Sequence, residues 1–282
     1  MKKLEPAPTP PPRREVAVCG GDASFDPRRQ AATRRVNRLV GQAICRYGLI
    51  EDSDHIAVGL SGGKDSLCLL WLLAQRRRWI PVNYRLTAIY VDLGFSAGLA
   101  EKNAGRLEAF CAALGVEFLA LGTDVGARAH GSGNKESPCF ICSRRRRQIL
   151  FETALSRGCN RLALGHHLDD IIETFFLNVI YAAEISTMLP AQDLFGGSLR
   201  IIRPLALCGE AQLGRMAQDL DLPVVASGCP SACNSARRGI STMLAPLFGR
   251  NGRLKGNVFR ALSNVRLDYL PAAARRGLPP AE

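Results

Sequence analysis

The stretch Val58-Gly59-Leu60-Ser61-Gly62-Gly63-Lys64-Asp65-Ser66 constrains this chain most. The residues before it, from Asp54 to Leu60, read as a short buried strand, and those from Leu67 to Ala74 as an apolar helix. A strand that turns through Ser-Gly-Gly into a helix aims several backbone N–H groups at one spot. That spot also sits on the positive end of the helix dipole, so it suits a phosphate. Gly62 and Gly63 let the backbone approach an anion, Lys64 adds a point charge, and Asp65 offers oxygen to a magnesium ion. The loop is not a Walker A site. Only three residues separate Gly59 from Gly63, and Asp65 rather than Ser or Thr follows Lys64. A plain glycine-rich turn in an α/β domain is the alternative reading.

Around this loop, short apolar runs alternate with longer helical patterns. Strands are expected over 56–60, 86–92, 116–121, 161–165 and 199–203. Helices are expected over 66–76, 98–114, 140–157, 169–182 and 209–220. Such alternation predicts parallel βαβ units and an α/β fold with a doubly wound parallel sheet. Ligands of these sheets bind at the carboxyl ends of strands. Ser61–Ser66, Asp92 and the run Gly165–Asp170 all fall at such ends. Ahead of the first strand, Val36, Leu39, Val40, Ala43 and Ile44 predict a helix over 31–47, with Arg34, Arg35 and Arg38 on its other side. Four regions follow. Residues 1–30, rich in Pro, Gly and Arg, predict a disordered basic segment, and 31–225 the nucleotide-binding α/β domain. Residues 226–270 read as a cysteine-containing loop with helices over 237–247 and 256–268, and 271–282 as a tail.

A net charge of +12 from 37 Lys and Arg suits a polyanionic partner. No apolar run reaches the ~18 residues of a membrane span, and the first residues lack the apolar core of a signal peptide. A cytoplasmic protein without membrane contact is the expectation. In a reducing compartment its ten cysteines read as core residues, metal ligands or catalytic thiols rather than disulfides. Cys45, Cys68, Cys111 and Cys159 lie in apolar patterns that predict burial, and Cys19 has no visible partner. The informative ones are Cys139, Cys142 and Cys229, together with Cys208 and Cys233.

Two further segments carry chemistry. Gly165-His166-His167-Leu168-Asp169-Asp170 puts adjacent carboxylates where a strand ends and a helix begins, able to cap that helix and to hold magnesium. Cys139-Phe-Ile-Cys142 opens a helix and is followed by Ser143 and Arg144–Arg147. The helix dipole and the arginines both favour thiolates there. Three readings compete for it: a structural zinc site shared with Cys229 and Cys233, a redox pair, and an iron–sulfur cluster with one distant cysteine.

Ser61–Ser66 resembles the SGGKDS signature of the PP-loop ATP pyrophosphatases, and Gly165–Asp170 their second motif. With Cys139-x-x-Cys142-Ser-Arg-x-Arg-Arg and Ile202-Arg203-Pro204-Leu205, the chain from Arg34 to Val265 resembles the tRNA 2-thiocytidine synthetase (TtcA-type) branch. That resemblance implies an ATP site built from Ser61, Gly62, Gly63, Lys64, Asp65, Ser66, Asp92, Gly165 and His166. It puts magnesium on Asp65 and Asp170, with Asp169 the weaker candidate. It implies a [4Fe–4S] cluster on Cys139, Cys142 and Cys229, where spacing to Met243-Leu244 favours Cys229 over Cys233. Lys64, Asp65, Asp170 and the three cysteines would be the catalytic set. Arg144, Arg145, Arg146 and Arg147 would bind tRNA phosphates, helped by the basic N-terminal helix. The implied reaction adenylates C2 of an anticodon-loop cytosine, at position 32, and replaces the oxygen with sulfur as AMP and pyrophosphate leave. A sulfur donor such as a cysteine desulfurase and a homodimer belong to the same expectation. A 2-thiouridine synthetase, a small-molecule amidotransferase or synthetase, and a non-catalytic metal protein are the alternatives.

Overall fold

A computed structural model of the protein describes residues 27–131, 134, 136–226, 228–230, 236–266 and 269. Cys19, Cys233, nearly all of the segment 1–30 and the tail 271–282 lie outside the described residues.

The apolar run before the glycine loop forms β1 (Asp54–Leu60), buried almost throughout. It pairs in parallel with β2 (Tyr84–Asp92) on one side and β4 (Arg161–Ala163) on the other, so that Val58 lies opposite both Ala88 and Ala163. With β3 (Glu117–Gly122), β5 (Ala191–Leu194) and β6 (Leu199–Ile202), the sheet order is β3-β2-β1-β4-β6-β5. β5 runs antiparallel to β6 at the edge. Sequence pattern missed it, because Ala-Gln-Asp-Leu carries no run of branched residues.

Helices cover both faces. Ile56, Val58 and Leu60 of β1 pack with α1 (Pro27–Tyr47), α2 (Lys64–Arg76), α3 (Ala97–Ala113) and α7 (Glu210–Asp219). Ala57 turns to the other face, with Ile89 and Val91, beneath α4 (Val125–Ala129) and α5 (Pro138–Ser156). This is the alternation that a strand buried on both sides requires. The doubly wound α/β architecture is therefore present. α6 (Leu168–Leu177) starts beyond β4, and against it lie α8 (Ala236–Arg250) and α9 (Arg253–Ala261) around Ile172, Ile240 and Leu244. No helix among the described residues is long and apolar enough to cross a membrane.

Several expectations need correction. The helix expected over 169–182 ends at Leu177, loosens into a π-helical turn over Asn178–Ala182, and stops at Ala183 with φ +54°. The last helix, expected over 256–268, runs from Arg253 to Ala261, starting just after Gly252. Cys45 is exposed rather than buried. In α1 the core takes Val36, Val40 and Ala43, and a step of two residues from Ala43 carries Cys45 round to the outer side.

Candidate active site

The glycine loop is braced from within. Ser66 Oγ donates to the Gly63 carbonyl at 2.9 Å and accepts from the Ser61 amide at 3.2 Å. The Gly63 amide donates to Ser61 Oγ at 3.2 Å. Gly62 has φ +78°, and a Cβ there would stand 2.1 Å from Val225 Cγ2, so only glycine fits. The Val225 amide in turn donates to the Gly62 carbonyl at 2.9 Å. Gly165 is held as closely, since its Cβ would lie 3.1 Å from the Ser66 amide nitrogen. These two glycines clamp the first turn of α2 between the loop after β4 and the chain after α7. No side chain caps α2, so its first-turn amides are left for a ligand.

The acidic motif divides its labour in a way that sequence did not foresee. His167 caps α6: its Nδ1 accepts from the Asp170 amide at 3.4 Å, while its own amide donates to Asp170 Oδ2 at 3.0 Å. Asp169 turns away, accepting from the Glu210 amide at 2.8 Å and from Lys255 Nζ. Its burial is overcome by Lys255 and by that amide, which hold its carboxyl below the ordinary range. Asp170 Oδ1 accepts from Arg237 Nη1 at 3.0 Å. Glu210, Arg237 and Lys255 were not read as site residues. Glu210 also receives Lys64 Nζ at 3.0 Å, beside Asp65 Oδ2 at 3.3 Å. Their only local signals were an acid opening a helix after Gly209 and cations in helices far along the chain.

Asp65 stands where two cavities meet. One, of about 320 Å³, is bounded by Ser61, Gly165, His166, Arg146 and Arg147. The other, of about 570 Å³, is bounded by Glu173, Glu210, Arg237 and Arg238. Asp65 and Asp170 line both. Asp65 Oδ1 is buried without a hydrogen-bond partner. Burial raises its carboxyl against the pull of His167 and Lys64. A buried carboxylate oxygen with nothing to accept from is what a divalent cation stabilises. The donor set fits magnesium.

His166 lines the smaller cavity, and burial, helped by Arg203, lowers its pKa to about 4. Arg203 Nε donates to His166 Nδ1 at 3.4 Å. A guanidinium cannot accept, so the neutral ring carries its proton on Nε2. Arg203 is itself buried, which lowers it to about 10. Asp92 is the outlier among the expected nucleotide residues. Its Oδ2 accepts from the Gly94 amide at 3.0 Å, capping the turn after β2, and it is not among the residues around the loop's cavity.

Helix α5 opens with Cys139 exposed and Cys142 buried. Burial, then the Cys229 and Cys139 sulfurs, raise the Cys142 thiol, against a pull from Arg146. Arg146 thus favours the thiolate as expected, and burial with the neighbouring sulfurs outweighs it at Cys142. Cys142 therefore lies within electrostatic reach of both other sulfurs, Cys139 on its own helix and Cys229 on the loop before α8. Among the described residues no three such ligands are packed to grip a single ion. An iron–sulfur cluster, several atoms across, spans wider separations, and cysteine thiolates are its usual ligands, so three of them would leave one iron open. Cys208 is excluded from this group: it is buried beside Cys68, its Sγ against the Val36 carbonyl, and burial pushes it up to about 12. Cys68, Cys111 and Cys159 are buried as expected. The arginine run splits by helical geometry. Arg146 and Arg147 line the loop's cavity, Arg146 half-buried and Arg147 still exposed, whereas Arg144 and Arg145 do not reach it.

The PP-loop domain family matches residues 29–227 of the chain. A tRNA-cytidine(32) 2-sulfurtransferase of Geobacter sulfurreducens is 37% identical over 240 residues, which is 84% of this chain and 92% of the relative. The chain belongs to the tRNA-cytidine(32) 2-sulfurtransferase family. Another member, from Sodalis glossinidius, is 39% identical over 84% of this chain and 67% of its own length. Among solved structures, the U34-tRNA thiolase NcsA from Methanococcus maripaludis, with its [4Fe–4S] cluster, superposes with a TM-score of 0.70. It is 26% identical, over 86% of this chain and 81% of its own. The PP-loop and TtcA-type resemblance read from Ser61–Ser66, Gly165–Asp170 and the cysteine pair is thus correct at the level of family and fold.

Proposed function

We propose that this chain uses ATP to replace the C2 oxygen of cytosine 32 in tRNA with sulfur, releasing AMP and pyrophosphate. The observation that carries the reading is the shared end of the sheet. The braced loop and Asp65, with its unpartnered oxygen, line one cavity with Arg146, one helical turn along α5 from Cys142, and this supports a joint site. The names of the curated relatives support the substrate.

The chain's own groups have separable tasks. The first-turn amides of α2 and Lys64 bind the β- and γ-phosphates and stabilise charge on the departing pyrophosphate. Asp65 and Asp170 would hold magnesium, which neutralises the triphosphate. The cytosine oxygen attacks the α-phosphorus, the bond to pyrophosphate breaks, and C2 gains an adenylate leaving group. His166, kept neutral with its proton on Nε2, offers a fixed donor into the cavity, and Arg146 and Arg147 flank it. Asp92 then shapes the turn after β2 rather than touching the nucleotide. Cys139, Cys142 and Cys229 would hold a [4Fe–4S] cluster, which when bound supplies an iron anchor for the sulfur that replaces AMP. A desulfurase-type donor would renew that sulfur.

Likeness to a U34-tRNA thiolase favours a second reading, in which the acceptor is a uridine. Nucleoside mass spectrometry of tRNA from cells with and without the protein decides between them. Loss of 2-thiocytidine alone is expected. Loss of 2-thiouridine instead would move the substrate, and unchanged thionucleosides would overturn the sulfurtransferase reading.

A further inference from the structure

Between Ala236 and Arg266 the chain has seven cationic residues and no acidic one. These residues make α8, α9 and the turn after them. The structure sorts the cations by direction. Arg237 and Lys255 point inward: Arg237 spans Asp170 Oδ1 at 3.0 Å and Thr174 Oγ1 at 3.1 Å, and Lys255 meets Asp169. Arg250, Arg253, Arg260 and Arg266 are exposed. α9 buries none of its residues, and α8 buries only Ile240 and Leu244. Little of this helix pair is explained by core formation.

We infer that the outer side of α8 and α9 is the docking surface for the phosphodiester backbone of the acceptor RNA. The inference rests on the tRNA reading above and adds a second surface to the one expected at Arg144–Arg147. A face with one sign of charge repels itself, and a polyanion is the partner that relieves it. Guanidinium groups match phosphate geometry, and such contacts position an RNA without reading its sequence. Position argues the same way. The inner side of α8, through Arg237, Ser241 and Thr242, borders the larger cavity where Asp65 and Asp170 stand. A backbone held on the outer side leaves an unstacked loop base within reach of that cavity. The two inward cations fix the helix pair to the acidic motif, so the docking face keeps its orientation toward the chemistry.

The test uses the full chain carrying Arg250→Gln, Arg253→Gln and Arg260→Gln together. Binding of an unmodified tRNA transcript is followed by fluorescence anisotropy over a series of KCl concentrations. Near physiological salt the triple variant is expected to bind about 10–100-fold more weakly, with the slope of log K against log salt smaller by about 2–3. Its Mg-ATP affinity and circular dichroism are expected to match wild type, which separates a lost surface from a lost fold. Wild-type affinity and slope in the variant would overturn the inference. So would intact tRNA binding with lost thiolation from a protein sulfur donor, which would make this face a site for an acidic protein. Failure of the wild-type protein itself to bind tRNA would overturn the tRNA reading, and the inference with it.

Discussion

Asp65 and His166 line the same cavity, and burial drives both toward their neutral forms. For Asp65 the neutral tendency is a sign of a missing partner, since Oδ1 has none. Asp65→Asn should therefore keep the fold, with a melting temperature equal to or above wild type. Removing its charge should lower pyrophosphate release at least ~100-fold, because charge stabilisation by the metal is lost. A normal rate in a coupled pyrophosphate assay would remove Asp65 from the catalytic set. For His166 the sign runs through the unfolded state. The folded ring titrates near 4 against an ordinary value of 6.5, so between those values the unfolded chain binds more protons. Stability from this group is full above about 6.5 and is lost as pH falls toward 4, by up to roughly 3 kcal/mol. Denaturant titrations at stepped pH should show that loss in wild type and a flatter profile in His166→Asn. Equal slopes would mean that the ring is already charged in the fold. Neither environment was legible in the sequence: the motif names the residues, but burial and Arg203 come from elements far along the chain.

At the scale of elements, what sequence carried was periodicity and motif, and what it lost was direction. The β–α alternation around Ser61–Ser66 predicted the parallel core because its central strands β1 and β2 are runs buried on both faces. The short edge strand β5 and the exact ends of α6 and α9 depend on neighbours rather than on local pattern. The same limit applies to α5. Its arginines look like one block in sequence, yet a helix turns successive side chains by about 100°, so Arg146 and Arg147 reach the cavity and Arg144 and Arg145 do not. Its cysteines obey that geometry too. Cys139 and Cys142, three apart, share a side facing the loop that carries Cys229. Serine at Cys139, Cys142 or Cys229 should abolish iron content and the visible absorption of anaerobically prepared protein, with thermal stability of the sheet little changed. Serine at Cys68 or Cys111 should do the opposite, costing about 1–3 kcal/mol by burying a hydroxyl while iron is retained. Iron loss from the core serines would disprove this division.

Across the whole molecule, burial is distributed unevenly, and that fixes the order in which parts open. The core on the α2 face joins β1, β2 and four helices, and nine residues of α2 are buried. The cluster holding α8 and α9 to α6 has three buried residues, Ile172, Ile240 and Leu244. Partly buried Leu168, Phe176, Leu177, Phe248 and Val258 pack around it, and polar ties run from Arg237 to Asp170 and Thr174 and from Lys255 to Asp169, with Arg237 and Lys255 both partly exposed. Water reaches both cations, so screening weakens these pairs. Opening free energy scales with buried apolar contact, so the C-terminal helices should separate from the sheet well below the global unfolding free energy. Hydrogen exchange read by mass spectrometry should find amides of α2 and β1 the slowest, α8 intermediate and α9 the fastest. The functional consequence follows from which residues move. Opening α8 takes Arg237 from Asp170 and uncovers the larger cavity, while Lys64, Asp65 and the glycine loop stay with the sheet. Mg-ATP should therefore bind to the protein without needing the helices closed, and RNA on their outer face should slow their exchange. Uniform protection across α2, α8 and α9 would mean that the extension and the sheet unfold as one unit.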